Sequence, residues 1–371
     1  MQRLSSPPRP THPNIGVIGL GIIGRAVAAN LRRKGFPVFV WNRSPRPVPN
    51  FVGSPGEVAE LCNYIQIFVS DDEALLQTVE QLGESLTSKH VVLAHSTVAP
   101  DSMRAASEIV KHRGARFVEA TFTGSKPAAE KGELVYYVGG SDAALQEARP
   151  ILEASSKEII HIGAIGQASA IKIATNMVTA ATAQAAAEAL ALVQALGLPL
   201  EKFVEAMRAN ASYSGTLAMK LPRMIERNFE PQFSVKHMLK DMQLASQIAL
   251  SNYLDLGVTA AARDQLFEQM QWGQGEDDYS AVARKYLHDR GPAVYEEPRT
   301  EELQSGAGEA TMESAECEPQ SVAAYDGVVN TTEQPLLSFS GTGDAPADAA
   351  TPLVRRGFLK QLLSRFSSGQ G

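Results

Sequence analysis

Short segments rich in apolar and β-branched residues recur every 20 to 30 residues, roughly, through the first half of the chain. They cover residues 15–18, 38–41, 64–69, 91–94, 116–120, 134–138 and 158–161. Helical stretches lie between them, among them 25–34, closed by Gly35, and 55–61 and 101–111. Strand and helix in alternation predict a parallel sheet with helices on both faces. After Gly166 the strand pattern stops, and the chain reads as helices to about His288. The first of these spans about 167–196 and would be about 45 Å long at the helical rise per residue. Gly197 and Pro199 are its stop signals.

The first strand–helix junction carries a motif. Asn14-Ile-Gly-Val-Ile18 is followed by Gly19-Leu20-Gly21-Ile22-Ile23-Gly24 and then by the helical run. A GxGxxG between strand and helix, inside a βαβ unit of about 30 residues, points to dinucleotide binding. Gly19 allows the tight turn, Gly21 admits a pyrophosphate to the backbone, and Gly24 lets the helix pack on the strand. The helix N-terminus offers free N–H groups and a positive dipole end to the phosphates. The fold class expected is therefore α/β, an N-terminal Rossmann-type doubly wound sheet followed by an all-α domain. The boundaries fall at 14–163 for the dinucleotide-binding domain, 164–290 for the all-helical domain, and 291–371 for a tail.

The end of the second strand bears on which dinucleotide. An NAD site usually places Asp or Glu there for the ribose hydroxyls. This chain has Asn42-Arg43-Ser44, with Arg46 close behind. No carboxylate repels a 2′-phosphate, and Arg43 and Ser44 can bond to one. NADP is the expected cofactor, although Ser44-Pro-Arg-Pro47 also has the composition of a basic surface turn.

At the start of the long helix, Lys172 and Asn176 stand four residues apart and so share one face. A Lys can donate a proton or a charge-assisted hydrogen bond, and an Asn can orient it. The plainer reading is a solvated Lys and an Asn bonded locally.

Together these features resemble the β-hydroxyacid dehydrogenase family, which includes 3-hydroxyisobutyrate dehydrogenases and glyoxylate/succinic semialdehyde reductases. The matching blocks are residues 19–24, Ser96-Thr97-Val-Ala-Pro100, Glu119-Ala-Thr121-Phe122-Thr123-Gly124-Ser125, the Lys172/Asn176 block, and Lys240-Asp241-Met-Gln-Leu-Ala245. The resemblance implies that Lys172 is the catalytic Lys and that Asn176 assists substrate binding. It implies that Thr123, Gly124 and Ser125 hold the substrate carboxylate and that Thr97 lies near the nicotinamide. Lys240 would close over substrate or cofactor from the helical side. The expected cofactor contacts are Gly19, Leu20, Gly21, Ile22, Ile23, Gly24, Asn42, Arg43, Ser44, Ser70, Thr97 and Lys240. Where the family commonly reads Asp-Ala-Pro-Val-Ser-Gly-Gly, Thr123 keeps a hydroxyl, while Thr121 and Phe122 bear on loop geometry and substrate size. Residues 125–130 lean toward the glyoxylate-reductase side. The implied activity is NADP-dependent reduction of a small aldehyde or keto acid, with Lys172 as general acid. Two alternatives remain: an imine-reductase-like enzyme, a class that usually lacks the Lys, and a nucleotide-binding scaffold whose tail recruits a partner.

Composition narrows the setting. Apolar residues make up 44% and charged residues 20% of 371 residues, as in a globular protein with a sizeable core. Cys62 and Cys317 are the two cysteines, so neither a disulfide framework nor a zinc site is implied. No stretch of 18 apolar residues occurs: residues 180–200 come nearest but contain Gln184, Glu188 and Gln194. Residues 1–10 lack the apolar centre of a signal peptide, and a cytoplasmic enzyme is expected. The net charge of −7 is uneven. Residues 291–353 carry 12 acidic residues and one basic, Arg299, whereas 354–371 carry four basic residues and no acid, leaving 1–290 neutral. A neutral body argues against nucleic acid as the main partner. The resemblance implies a small-molecule acid substrate and a homodimer or tetramer built through residues 164–290, as a substrate and dimerisation domain. Residues 291–353 read as disordered. Residues 354–366 read as a basic amphipathic helix able to meet a protein, the acidic linker or a membrane surface. The histidines show no metal-ligand spacing, and His237 and Asp241, four apart, could pair on a helix.

Overall fold

The computed structural model describes residues 12–287. The expectations for residues 291–353 and 354–366, and for Cys317 and His288, lie outside the described residues.

Seven strands and six helices alternate up to Gly163. They are β1 (Ile15–Ile18), α1 (Ile22–Arg33), β2 (Val38–Trp41), α2 (Pro55–Leu61), β3 (Tyr64–Ile67), α3 (Asp72–Gly83), β4 (Val91–Ala94), α4 (Pro100–His112), β5 (Arg116–Thr123), α5 (Ser125–Lys131), β6 (Leu134–Gly139), α6 (Asp142–Leu152) and β7 (Ser156–Gly163). They form one sheet in the order β2-β1-β3-β4-β5-β6-β7. The order turns back at β1, so the β1–α1 turn opens at a topological switch point, where such sheets bind ligands.

The sheet departs from the all-parallel expectation at one place: β5 and β6 pair antiparallel, with Glu119 opposite Gly139 and Thr123 opposite Val135. The reason is the connection. Only ten residues, 124–133, join the two strands, and a parallel crossover needs about a dozen or more. The chain instead doubles back through the short α5, and β7 then runs parallel to β6. Strands β5 and β7 also run past their expected ends, so β5 carries Thr123 at its C-terminal end.

Apolar clusters cover both faces. Ile15, Val17, Val38, Val40 and Leu93 pack beneath α1 and α6 on one side, and Ile18, Ile65, Ile67, Val92 and Val110 pack with α2, α3 and α4 on the other. Beyond Gly163 the chain is helical: α7 (Gln167–Ala195), α8 (Leu200–Arg208), α9 (Gly215–Ile225), α10 (Val235–Ser251), α11 (Gly257–Gln271) and a 3-10 helix (Tyr279–Lys285). The 29-residue α7 contacts β5 and β6 near its start and α8, α9, α10, α11 and the 3-10 helix beyond. Its small side chains Ala180, Ala183, Ala186 and Ala187 are buried and admit these neighbours closely. Among the described residues, no helix is long and apolar enough to cross a membrane.

Candidate active site

The glycine-rich turn has the shape a pyrophosphate needs. Gly19 has φ +95, and a Cβ there would lie 2.0 Å from the Phe68 carbonyl oxygen. A Cβ at Gly24 would lie 1.9 Å from the Gly19 carbonyl oxygen, whereas one at Gly21 would meet nothing within 4 Å. The first two glycines allow close packing, and the third leaves open space above the backbone. Helix α1 begins there with Gly21 as its cap, no capping side chain and no acid in its first turn. Its free N–H groups and dipole end are therefore available to an anion. The residues present fit a dinucleotide.

The Leu20 side chain is buried in the core, and its amide already donates to Asn42 Oδ1 at 2.9 Å. Asn42 Nδ2 in turn donates to the Ser44 carbonyl at 2.8 Å. Asn42 thus ties the glycine turn to the end of β2. Ile22 and Ile23 are half-buried, and Arg43 and Ser44 are exposed. Among the described residues the Arg43 side chain makes no hydrogen bond, but its charge reaches Asp71. Burial works to raise the Asp71 carboxyl, yet bonds from Ser70 and Ala74 and the charges of Lys240 and Arg43 leave it below its usual range. The Ser70 hydroxyl is spent on Asp71 Oδ2 at 2.6 Å.

The second group forms where α7 meets α10. Lys172 and Asn176 are buried, and Asp241 is fully so. Lys172 Nζ donates to Asn176 Oδ1 at 2.9 Å, and Asn176 Nδ2 donates to Asp241 Oδ2 at 2.6 Å. A carboxylate can only accept, so Asp241 fixes the amide and turns its oxygen toward Lys172. Lys240 Nζ pairs with Asp241 Oδ1 at 2.8 Å and also donates to the Thr97 carbonyl, which joins α10 to the loop after β4. Burial lowers the Lys172 pKa to about 8; Asp241 opposes this, and Lys240 adds to it.

Thr123, Gly124 and Ser125 follow at the end of β5, all half-buried. Gly124 has φ +126, and Ser125 holds φ +59 without being glycine. Such a conformation costs of order 1 kcal/mol and is typical of functional loops. On the same strand the fully buried Glu119 accepts hydrogen bonds from the Gly166 amide at 2.6 Å and from the Ser169 amide.

Sequence reasoning missed the roles of Asp241 and Glu119. Asp241 was visible as a neighbour of Lys240, but its tie to Asn176 spans 65 residues of sequence and has no local signal. His237 bonds Ser234 Oγ at 2.6 Å rather than Asp241, and its ring stacks on Phe233. His95 is buried between Phe68 and Tyr136, bonded through Nδ1 to the Ala120 carbonyl, and burial lowers its pKa to about 3. It is a neutral packing residue. Among the described residues no three His, Cys, Asp or Glu side chains group as metal ligands would.

Known proteins share these features. Residues 14–163 match the family described as the NAD binding domain of 6-phosphogluconate dehydrogenase. Residues 166–286 match the one described as NAD-binding of NADP-dependent 3-hydroxyisobutyrate dehydrogenase. The chain is 31% identical over 278 residues to glyoxylate/succinic semialdehyde reductase 1 of Arabidopsis thaliana, a match covering 72% of this chain and 96% of that one. It is 30% identical over 292 residues to cytokine-like nuclear factor N-PAC of Danio rerio, covering 75% of this chain and 63% of that protein. The fold is shared with the solved 3-hydroxyisobutyrate dehydrogenase of Mycobacterium tuberculosis, at a TM-score of 0.67 and 23% identity, over 75% of this chain and 100% of that one. With one relative matched along nearly its whole length and both halves of the described fold accounted for, the chain belongs to the β-hydroxyacid dehydrogenase family of NAD(P)-dependent oxidoreductases.

Proposed function

We propose that this protein reduces a small aldehyde or keto acid with NADPH, Lys172 serving as the general acid. The observation that carries the reading is the Lys172–Asn176–Asp241 chain: a buried Lys with a pKa of about 8, bonded to an amide that a buried carboxylate holds in place. NADPH bound at the glycine turn supplies the hydride for the carbonyl carbon. Negative charge then builds on the carbonyl oxygen, and Lys172 Nζ stabilises and protonates it. Thr123, with Gly124 and Ser125, holds the substrate carboxylate so that the carbonyl faces Lys172. Lys240, linking Asp241 to the Thr97 carbonyl, closes the site from the helical side. A buried Lys suits proton delivery to an alkoxide and weighs against an imine substrate. Arg43, with Arg46 close behind, is the exposed cation offered to the 2′-phosphate. Residues 14–163 bind the dinucleotide in this reading, and 164–290 complete the site. The exposed apolar residues Val178 and Leu192 on α7, Leu196 just past its end, and Val258 and Phe267 on α11 support assembly as a homodimer or tetramer through the helices.

One experiment tests both substrate and cofactor. Oxidation of NADPH and NADH is followed with glyoxylate, succinic semialdehyde, methylmalonate semialdehyde and a cyclic imine, for the wild type and Arg43→Ala. Turnover is expected with one of the acids and NADPH. Arg43→Ala should weaken NADPH by roughly 10- to 150-fold, the worth of one charge-assisted bond, and leave NADH nearly unchanged. Turnover of the imine alone, or equal losses for both cofactors, would refute the corresponding half of the reading.

A further inference from the structure

Side chains two apart on a strand point the same way, so Glu119, Thr121 and Thr123 lie on one face of β5. The first two of them grip helix α7. Glu119 accepts from the Gly166 and Ser169 amides, and the Thr121 hydroxyl lies 3.4 Å from the Ala168 carbonyl oxygen. Gly166 is the α7 cap residue, and Ala168 and Ser169 belong to its first turn. The helix brings no capping side chain of its own and has no acid in that turn. Its positive end and two of its orphan amides are thus satisfied by a carboxylate from the sheet. Space for that carboxylate is built in: a Cβ at Gly139 would lie 2.4 Å from Glu119 Oε2. Burial raises the Glu119 carboxyl, and bonds from Ser169 and Gly166 oppose this.

The grip fixes more than a helix end. Ser169, Lys172 and Asn176 follow one another at spacings of three and four and share a buried face of α7. Holding the Ser169 amide sets the rotation of the helix about its axis, and with it the direction of Lys172, about 4.5 Å further along. The other end of the same strand face presents Thr123, about 13 Å from Glu119 along β5. One strand therefore gauges both the substrate loop and the helix that carries the ammonium.

We infer that Glu119 is a positioning residue, indexing α7 and its Lys172 against the Thr123–Gly124 end of β5. The inference rests on the roles given to Lys172 and Thr123 above. An amide would serve poorly in its place: a Gln side chain would turn an NH₂ group toward one of two N–H donors.

The test compares Glu119→Gln with Gly139→Ala, which keeps the charge but crowds the carboxylate. Both should lower kcat by about 10- to 100-fold, as expected for a misplacement of the order of 1 Å. Affinity for NADPH should stay within about twofold, and the isotope effect with 4-deuterated NADPH should rise as hydride transfer becomes limiting. In Glu119→Gln, amide exchange over residues 166–173 should quicken while β1 and α1 keep their protection. A lower kcat with an unchanged isotope effect would mean a smaller folded fraction, and the inference would fall. Wild-type kcat or wild-type exchange over 166–173 in Glu119→Gln would equally overturn it. If the wild type turns over none of the acids, the substrate reading fails by itself, and the exchange measurement still decides whether Glu119 holds α7.

Discussion

Among the described residues two lysines, Lys172 and Lys220, lie buried in the helical part of this protein, and their surroundings differ in kind. Lys220 on α9 faces a carboxylate squarely: its Nζ lies 2.8 and 2.9 Å from the two Asp278 oxygens and over the Tyr279 ring. Asp278 also accepts from the Gln232, Phe233 and Ser280 amides and from the Ser280 hydroxyl. Burial works to raise the Asp278 carboxyl, but Lys220, Ser280 and Gln232 hold it below its usual range. The third Lys220 proton goes to Gln232 Oε1 at 3.2 Å, so each N–H of the ammonium has an acceptor, although burial lowers its pKa as it does that of Lys172. Lys172 meets only an amide oxygen, with the carboxylate held one residue further off. Burial alone does not distinguish the two lysines; the placement of the counter-charge does, and it is this difference that supports the proposed role of Lys172.

Replacing each lysine should separate chemistry from stability. Lys172→Ala should lower kcat by about 10²–10⁴-fold while NADPH still binds, read by steady-state kinetics and cofactor titration. Lys172→Arg should not restore it, because a guanidinium does not release its proton. In the wild type the rate of reduction should fall as pH rises through about 8, where the depressed Lys172 pKa removes the acidic form. A pH-independent rate from about 6 to 10 would break the comparison at its root.

Lys220→Ala should act on the fold instead. Breaking a buried pair from one side leaves the other charge stranded and costs about 3–5 kcal/mol, measurable by urea unfolding. Replacing both Lys220 and Asp278 with apolar residues of similar size should recover most of that loss. Turnover per folded molecule should stay near wild type, and a specific loss of kcat would erase the distinction from Lys172.

Asp241→Asn should give the smallest change and the sharpest sign. The Asp241 charge raises the Lys172 pKa against burial. Removing it should move the basic limb of the reduction profile to lower pH. A shift upward would show that Asp241 acts on Lys172 in some other way.

The sheet region was legible because its signals are contiguous. Residues 14–41 hold a strand, the Gly19–Gly24 turn, a helix and a second strand in unbroken order, and each has a local cause. The Lys172/Asn176 spacing was legible for the same reason. The antiparallel β6 was not, since alternation of strand and helix is silent on direction and only the ten-residue connection decides it. Asp241 and Glu119 were present in the matching blocks without a role. Their partners lie 65 and 47 residues away along the chain, and such contacts exist only once α7, α10 and β5 have come together.

Asn42 carries a consequence for how cofactor choice changes in such a protein. It stands where NAD enzymes usually place an acid, yet it also anchors the glycine turn through Leu20 and the following turn through Ser44. An Asp at this position would still accept from Leu20 and would offer a ribose the carboxylate it favours. It would lose the donor to the Ser44 carbonyl and so unfasten the segment bearing Arg43. A single substitution would thus install one preference and loosen the other, without disturbing the phosphate cradle. One side-chain nitrogen, the Nδ2 of Asn42, thus couples the proposed cofactor preference to the hold on the turn that bears Arg43.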